Sequence, residues 1–476
     1  MKSNTIIAAW FAIIGAAVAL DARAEQNELS RPGSFASIYA VDFVATAAFG
    51  ADMNEAGDIV GTSYPDPGCG SSCLPPLETV VWKNGIRTVL PDLAGFSGAT
   101  VNDINNKGWV CGFAGLFGFG HAAAWKPNGN SYTPIDMGVL PGTSSSNAIG
   151  LDDSNRAVGY STATSGFETP FLWTEAVGIT NLVNQGFPNE RPLGISPGGK
   201  VATIAHWYDL GDPASVMTMP PAPRGLLLEN SSVAINDAGD QARFLVTASG
   251  QILDYPFRFH HEGTYQQISF VPTGHLSSYG VGSINAAQDV TATVQSTAMI
   301  GAGPDGLLQE LAPLVSPAYS GSVLTSGGPM NASGEILARM IIGQTGQRLV
   351  KLAPTQPCTT NCIEVKSIRM KGQGSSRCDQ GTNQVQAQIT VTNESGAPLA
   401  GVTVTGHFLD DYWLDELVSG VTNSRGQVKF RHIGPPCVGG VAFLVTEATS
   451  TPARTFDRTT GVLSNYIIPQ TQSESP

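Results

Sequence analysis

Apolar residues fall along this chain in short runs, and at regular intervals a run is broken by a polar turn closed by glycine. In "VNDINNKGWVCGFAG", residues 101–115, one apolar stretch ends at Asn105, Gly108 stands three positions later, and a second apolar stretch follows. The arrangement recurs as "DMNEAGDIVG", "GLDDSNRAVG", "GISPGGKVAT", "AINDAGDQAR", "SINAAQDVTA" and "PMNASGEILA". The residues that open these turns are Asn54, Asn105, Asp152, Ser196, Asn236, Asn285 and Asn331, at spacings of 51, 47, 44, 40, 49 and 46 residues. That is a long-period repeat of seven units.

Local chemistry explains each unit as a β-hairpin. Asn, Asp or Ser at the first position of a type I turn bonds its side chain to the backbone two residues on, and glycine at the fourth accepts positive φ and starts the next strand. Asn155 fills that fourth position in unit three, and Gln288 in unit six is a departure that should carry strain. A third apolar segment ending in an aromatic follows several hairpins, at Trp82, Trp125, Trp173 and Phe259, and a fourth comes after it. Four short strands per repeat predict the blade of a β-propeller, and seven units predict seven blades. The seventh unit supplies only three strands, while "SIYAVDFV", residues 37–44, has no hairpin partner. The spare strand is therefore expected to close the ring as the outer strand of the last blade.

These residues resemble a known family. "INNKGWVCG" followed by "HAAAWKPNG" is similar to the extracellular HAF repeat, named for its His-Ala-Phe motif, with His121, Ala122 and Ala123 at that motif. The resemblance covers about residues 40–353 and implies secretion and a propeller-like fold, with no established activity. From Ala353 the pattern ends in "APTQPCTTNC", and "TVTNESGAPLAGVTVTG" with "TNSRGQVKF" then resembles the Ig-like β-sandwich modules appended to secreted bacterial enzymes. The expected architecture is all-β: a signal peptide at 1–24, a propeller over 35–353, a linker at 354–362, an Ig-like β-sandwich over 363–468 and a disordered tail at 469–476.

The start of the chain bears on compartment. Lys2, an apolar run from Ile6 to Leu20, and Ala22, Arg23 and Ala24 read as an export signal, and no later run spans a bilayer. Beyond residue 24 the chain carries 23 basic and 37 acidic residues, a net −14, which opposes binding to nucleic acid or anionic lipid. A secreted or periplasmic destination makes disulfides the leading reading of the cysteines, with metal binding the competing one: Cys69 with Cys73, Cys358 with Cys362, and Cys378 with Cys437. Cys111 is left over at an apolar strand position and reads as a buried thiol.

Candidate chemistry is sparse. Asp52 and Asp103 sit two positions before their turn residues in neighbouring units, and such a pair can do acid-base work or simply be bonded in place. His260 and His261 follow a strand and point to opposite faces, which argues against a shared metal. The glycines of "GLFGFGHA" lie between strands, so they do not make a nucleotide cradle. Connections expected on one propeller face carry Phe117, Phe119, Glu190 and Arg191, with Tyr279 further on. The segment "HWYDLGDP" adds Trp207, Tyr208, Asp209 and Asp212, an aromatic platform beside carboxylates. These residues either bind a ligand or cap the blades. The expected function is that of a secreted binding protein for a carbohydrate or an extracellular protein, without metal or cofactor; the alternative is an exported polysaccharide hydrolase using Asp52 and Asp103.

Overall fold

The structure is a computed structural model, and it describes residues 38–468 except 47, 65–76, 117–118, 222–225, 248–251, 269–278, 302, 304–307, 320, 344, 374–382, 411–414 and 435–439. The expected signal peptide, the tail at 469–476, Phe117, and Cys69, Cys73, Cys378 and Cys437 lie outside the described residues.

Among the described residues, the chain from Tyr39 to Pro354 forms seven four-stranded antiparallel sheets. Blade 1 runs through Ala48–Met53, Ile59–Ser63, Glu78–Lys83 and Ile86–Val89, and the next five repeat the order. Their first strands, Ala48–Met53, Ala99–Ile104, Ser145–Leu151, Gly194–Ile195, Leu226–Ile235, Tyr279–Ile284 and Ser322–Met330, touch in cyclic order, so the sheets stand around a closed ring. Blade 7 is ordered Ser322–Met330, Ile336–Ile342, Arg348–Pro354 and then Tyr39–Thr46, with Val41 opposite Leu352 and Tyr39 opposite Pro354. The orphan N-terminal strand thus completes the last blade, as its missing fourth strand requires.

The hairpins follow the chemistry read from the sequence. Asn105 Oδ1 accepts from the amides of Lys107 and Trp109, Asp152 Oδ1 from Ser154 and Arg156, and Asn236 Oδ1 from Ala238 and Asp240. The fourth positions all take positive φ, including Asn155 at 62° and Gln288 at 63°. The turns also bond to one another around the ring. Glu55 N donates to Asn106 Oδ1, Asn106 N to Asp153 Oδ1, Asp153 N to the Pro197 carbonyl, and Gly198 N to Asp237 Oδ1. Asn236 Nδ2 then reaches the Asn285 carbonyl, and Ala332 N donates to Glu55 Oε2 to join blade 7 to blade 1.

Aromatic residues of the third strands in blades 2 and 3 fill the gaps between blades. Trp125 is fully buried among Val60, Val81, Val101 and Val110 and donates Nε1 to the Pro91 carbonyl; Trp173 packs with Cys111, Ala122 and Ala124. A buried aromatic side chain removes about 150–250 Å² from water, roughly 4–6 kcal/mol at about 25 cal/mol per Å². Cys111 is a free, fully buried cysteine opposite Asp103 in the sheet, and burial pushes its thiol well up, with the charges of Asp103 and Asp52 adding. Cys111 is therefore expected to stay unlabelled by a thiol reagent in the folded protein and to react once unfolded, read by mass spectrometry of its peptide.

After blade 7, Cys358 and Cys362 are disulfide-bonded, and two more four-stranded sheets follow. One is ordered Gln427–Gly434, Asn383–Thr392, Cys362–Gln373, Thr455–Phe456; the other Asp415–Val421, Thr403–Asp410, Val441–Thr449, Ser464–Ile467. Strict alternation along Gln427–Gly434 turns Val428, Phe430 and His432 inward, where Phe430 stacks on Phe443 and Phe408 meets Phe443 edge-on. This β-sandwich packs on blade 7. Arg458 pairs with Asp42 at 2.6 Å and donates to the Val41 carbonyl, Leu463 N donates to the Ala318 carbonyl at 2.7 Å, and the rings of Phe43 and His407 lie 4.6 Å apart.

Candidate functional site

Two concave regions open at opposite ends of the central channel. On the face carrying the first-to-second-strand turns, a cavity of about 380 Å³ is lined by Asp52, Asp103, Gly150, Gly194, Ile235 and Ser283, among others. A bulge in the first strands of blades 1, 2, 3 and 6, skipping Ala51, Asn102, Ile149 and Gly282, sets the residues that follow against the next blade. Asp52 Oδ2 accepts from Ile104 N of blade 2 at 3.1 Å, and Asp103 Oδ2 from Leu151 N of blade 3 at 2.7 Å. Gly150 permits that approach, since a Cβ there would stand 2.7 Å from Asp103 Oδ2.

The two carboxyls also act on each other, and two like charges side by side favour a proton on one of them. Burial raises both above the ordinary carboxylate range, and the charge of Asp52 raises Asp103 further. A glycoside hydrolase holds its carboxyls about 5 Å or more apart, with room for the sugar between them. Here each carboxyl is anchored to a backbone amide of the next blade, which is the bonded-in-place reading of these two acids. The pair ties blades 1, 2 and 3 together.

On the other face, a groove of about 900 Å³ lies over blades 1 to 3. Its walls are Phe113, Gly115 and Phe119 of blade 2, the hairpin of blade 3 from Tyr160 to Glu168, and the chain entering each blade at Ser97–Thr100 and Ser144–Ser146. Phe119 stands 79% exposed on one hairpin, and Phe167, 59% exposed, stands on the other between the wall residues Gly166 and Glu168. Gly120 lets Phe113 in beneath: a Cβ there would lie 2.5 Å from the Phe113 ring. Packing accounts for that glycine in "GLFGFGHA". Arg191 lies over the Tyr160 ring, 4.0 Å from its centre, and 3.5 Å from Glu168. Asn102 lines both the groove and the channel cavity, and its amide reaches Asn147 Oδ1 and the Ala148 carbonyl.

Of the residues singled out in the sequence, Phe119 lines the groove and Arg191 backs it. Glu190 is tied inward to Thr203 Oγ1, Ala205 N and His206 Nδ1; burial pushes its carboxyl up, but these hydrogen bonds outweigh that and hold it below the usual range. The segment "HWYDLGDP" is two strands, His206–Asp209 and Asp212–Thr218, joined by a tight turn, and not a long connection. Tyr208 is fully buried against Phe187 and cannot meet a surface ligand. Trp207 packs on the blade 5 turn at Gly239 with Lys200 over its ring, Asp209 faces Lys200 at 3.7 Å, and Asp212 Oδ1 accepts from Ala214 N. Trp207, Asp209 and Asp212 therefore belong to the turn face, remote from Phe119. Tyr279 opens the first strand of blade 6, and its side chain lies outside the described residues. His261 Nδ1 pairs with Asp240 at 2.9 Å, while the His260 amide closes its hairpin on Thr264. The wall residues Tyr160 and Glu168, and Phe167 between Gly166 and Glu168, were not marked by the sequence pattern, although "YSTATSGFE" is a hairpin with an aromatic on each arm.

The fold and groove define the class: a ring of four-stranded sheets with an attached sandwich and an open surface cleft. No protein-family model matches the chain, and no curated protein matches it. Among solved structures it is similar to a protein from Lactobacillus plantarum at 12% identity, over 79% of this chain and 99% of that one, with a TM-score of 0.31. A protein of unknown function from Dyadobacter fermentans matches at 12% identity, over 68% and 99%, with a TM-score of 0.34. A Bacteroides ovatus protein titled Xyloglucan PUL GH43B matches at 9% identity, over 91% and 95%, with a TM-score of 0.22. Nothing about the site is taken from these distant likenesses. No helix among the described residues is long and apolar enough to cross a membrane.

Proposed function

We propose that this is an exported carbohydrate-binding protein whose groove over blades 1 to 3 holds a glycan chain. The observation that carries the reading is Phe119, an aromatic ring left 79% exposed at the edge of a cleft whose apolar surface is interspersed with hydroxyl and amide side chains. A sugar ring offers an apolar face and a rim of hydroxyls, which such a wall complements. Asn147 and Ser145 supply donors and acceptors in the cleft, and Phe113 adds apolar surface beside Phe119. The export signal read at residues 1–24 and the Cys358–Cys362 disulfide support an extracytoplasmic setting.

A glycan array identifies the ligand, and titration calorimetry of Phe119→Ala tests the site. Affinity is expected to fall about 5- to 150-fold, roughly 1–3 kcal/mol, with the melting temperature unchanged because the ring is exposed. Undiminished affinity in that variant would place the ligand elsewhere.

A further inference from the structure

Resting on that reading, we propose that the groove selects neutral glycans and turns away uronates and other anionic sugars, with Glu168 as the discriminating residue and Arg191 as the residue that positions it. Every other described side chain lining the groove is uncharged; Glu168 alone brings an ionisable acid or base to the wall. Glu168 opens the third strand of blade 3, where its backbone pairs with Thr162, so the carboxylate is held at the mouth of the hairpin. The cation that answers it stands outside the cavity wall. Arg191 comes from the connection into blade 4, lays its guanidinium over the Tyr160 ring at 4.0 Å, and approaches Glu168 Oε1 at 3.5 Å.

The arrangement is asymmetric. A ligand in the groove meets the carboxylate directly, while the guanidinium lies over the tyrosine face outside the wall, 3.5 Å from Glu168. A sugar carboxylate entering here would be placed beside a like charge, in a chain of net −13, with no wall cation to receive it. A cationic amino sugar gains little either, because Glu168 already has its counter-ion. Neutral hydroxyls pay neither cost, and Glu168 can accept a hydrogen bond from one of them.

The test compares a neutral oligosaccharide that binds the intact protein with the same backbone carrying uronate residues, using wild type, Glu168→Gln and Arg191→Gln. Wild type is expected to bind the neutral chain at least about tenfold more tightly, with the gap narrowing as salt rises. Glu168→Gln should narrow the gap between the two chains at low salt, and Arg191→Gln should widen it, since the carboxylate then loses its counter-ion. Equal binding of both chains by wild type would overturn the selectivity and leave the groove standing. A gap that Glu168→Gln leaves unchanged at low salt would overturn it as well, by showing that this carboxylate does not discriminate, as would tightest binding of an amino sugar. Failure of every glycan to bind overturns the parent reading and this one together. Melting curves of both variants separate a binding change from a folding defect.

Discussion

A protein lacking residues 39–46 is expected to melt roughly 5–10 °C below the intact chain, or not to fold as one cooperative unit. Tyr39, Ala40 and Val41 are each 1% exposed, and the strand pairs along Arg348–Pro354. Its loss bares the edge of blade 7 and removes packing on which blade 1 leans through Leu337 and Leu349. The sandwich loses its partner in the same stroke. Arg458, whose charge is held by Tyr319 and Asp42 against the cost of burial, would be left without Asp42 and the Val41 carbonyl. A single change isolates the clamp: Arg458→Ala keeps the strand and should cost roughly 1–3 kcal/mol. Calorimetry decides both, and a truncated protein melting with the intact one in a single transition would refute closure by this strand.

The ring was legible because its rule is local. Asn105 and Gly108 announce a hairpin wherever they stand, and seven such turns with a three-stranded remainder leave one place for residues 39–46. The groove was not legible for the opposite reason. Phe119 and Glu168 lie on hairpins of different blades, and only the ring brings them to one cleft. Trp207 and Tyr208 misled because aromatics beside Asp209 resemble a binding loop, whereas the two-residue turn at Leu210 and Gly211 makes the stretch a hairpin whose alternation buries Tyr208. Asp52 and Asp103 could be found as equivalents in neighbouring repeats. Their bonds to the amides of the next blade could not, because these depend on the bulges at Ala51 and Asn102. Arg458 carried no signal, since it works from an irregular segment outside any period.

Asp103→Asn is expected to stabilise the protein at neutral pH by about 1–2 kcal/mol, a gain that fades on acidification. Burial, then the charge of Asp52, lifts the folded-state pKa of Asp103 well above its ordinary 3.8. The folded state therefore holds a proton more tightly than the unfolded chain. The stability this group contributes is fully present below pH 3.8 and is lost as pH rises through the folded value. Asparagine mimics the protonated acid. Its carbonyl can still accept from Leu151 N, and its amide can donate to Asp52. Asp103→Ala should instead destabilise at every pH by roughly 1–3 kcal/mol, because Leu151 N loses its acceptor. Melting curves of the three proteins between about pH 4 and pH 8 give the test. If Asp103→Asn lowers the melting temperature equally across that range, the pair carries no shared proton, and Asp103 serves the ring only as a fully ionised acceptor.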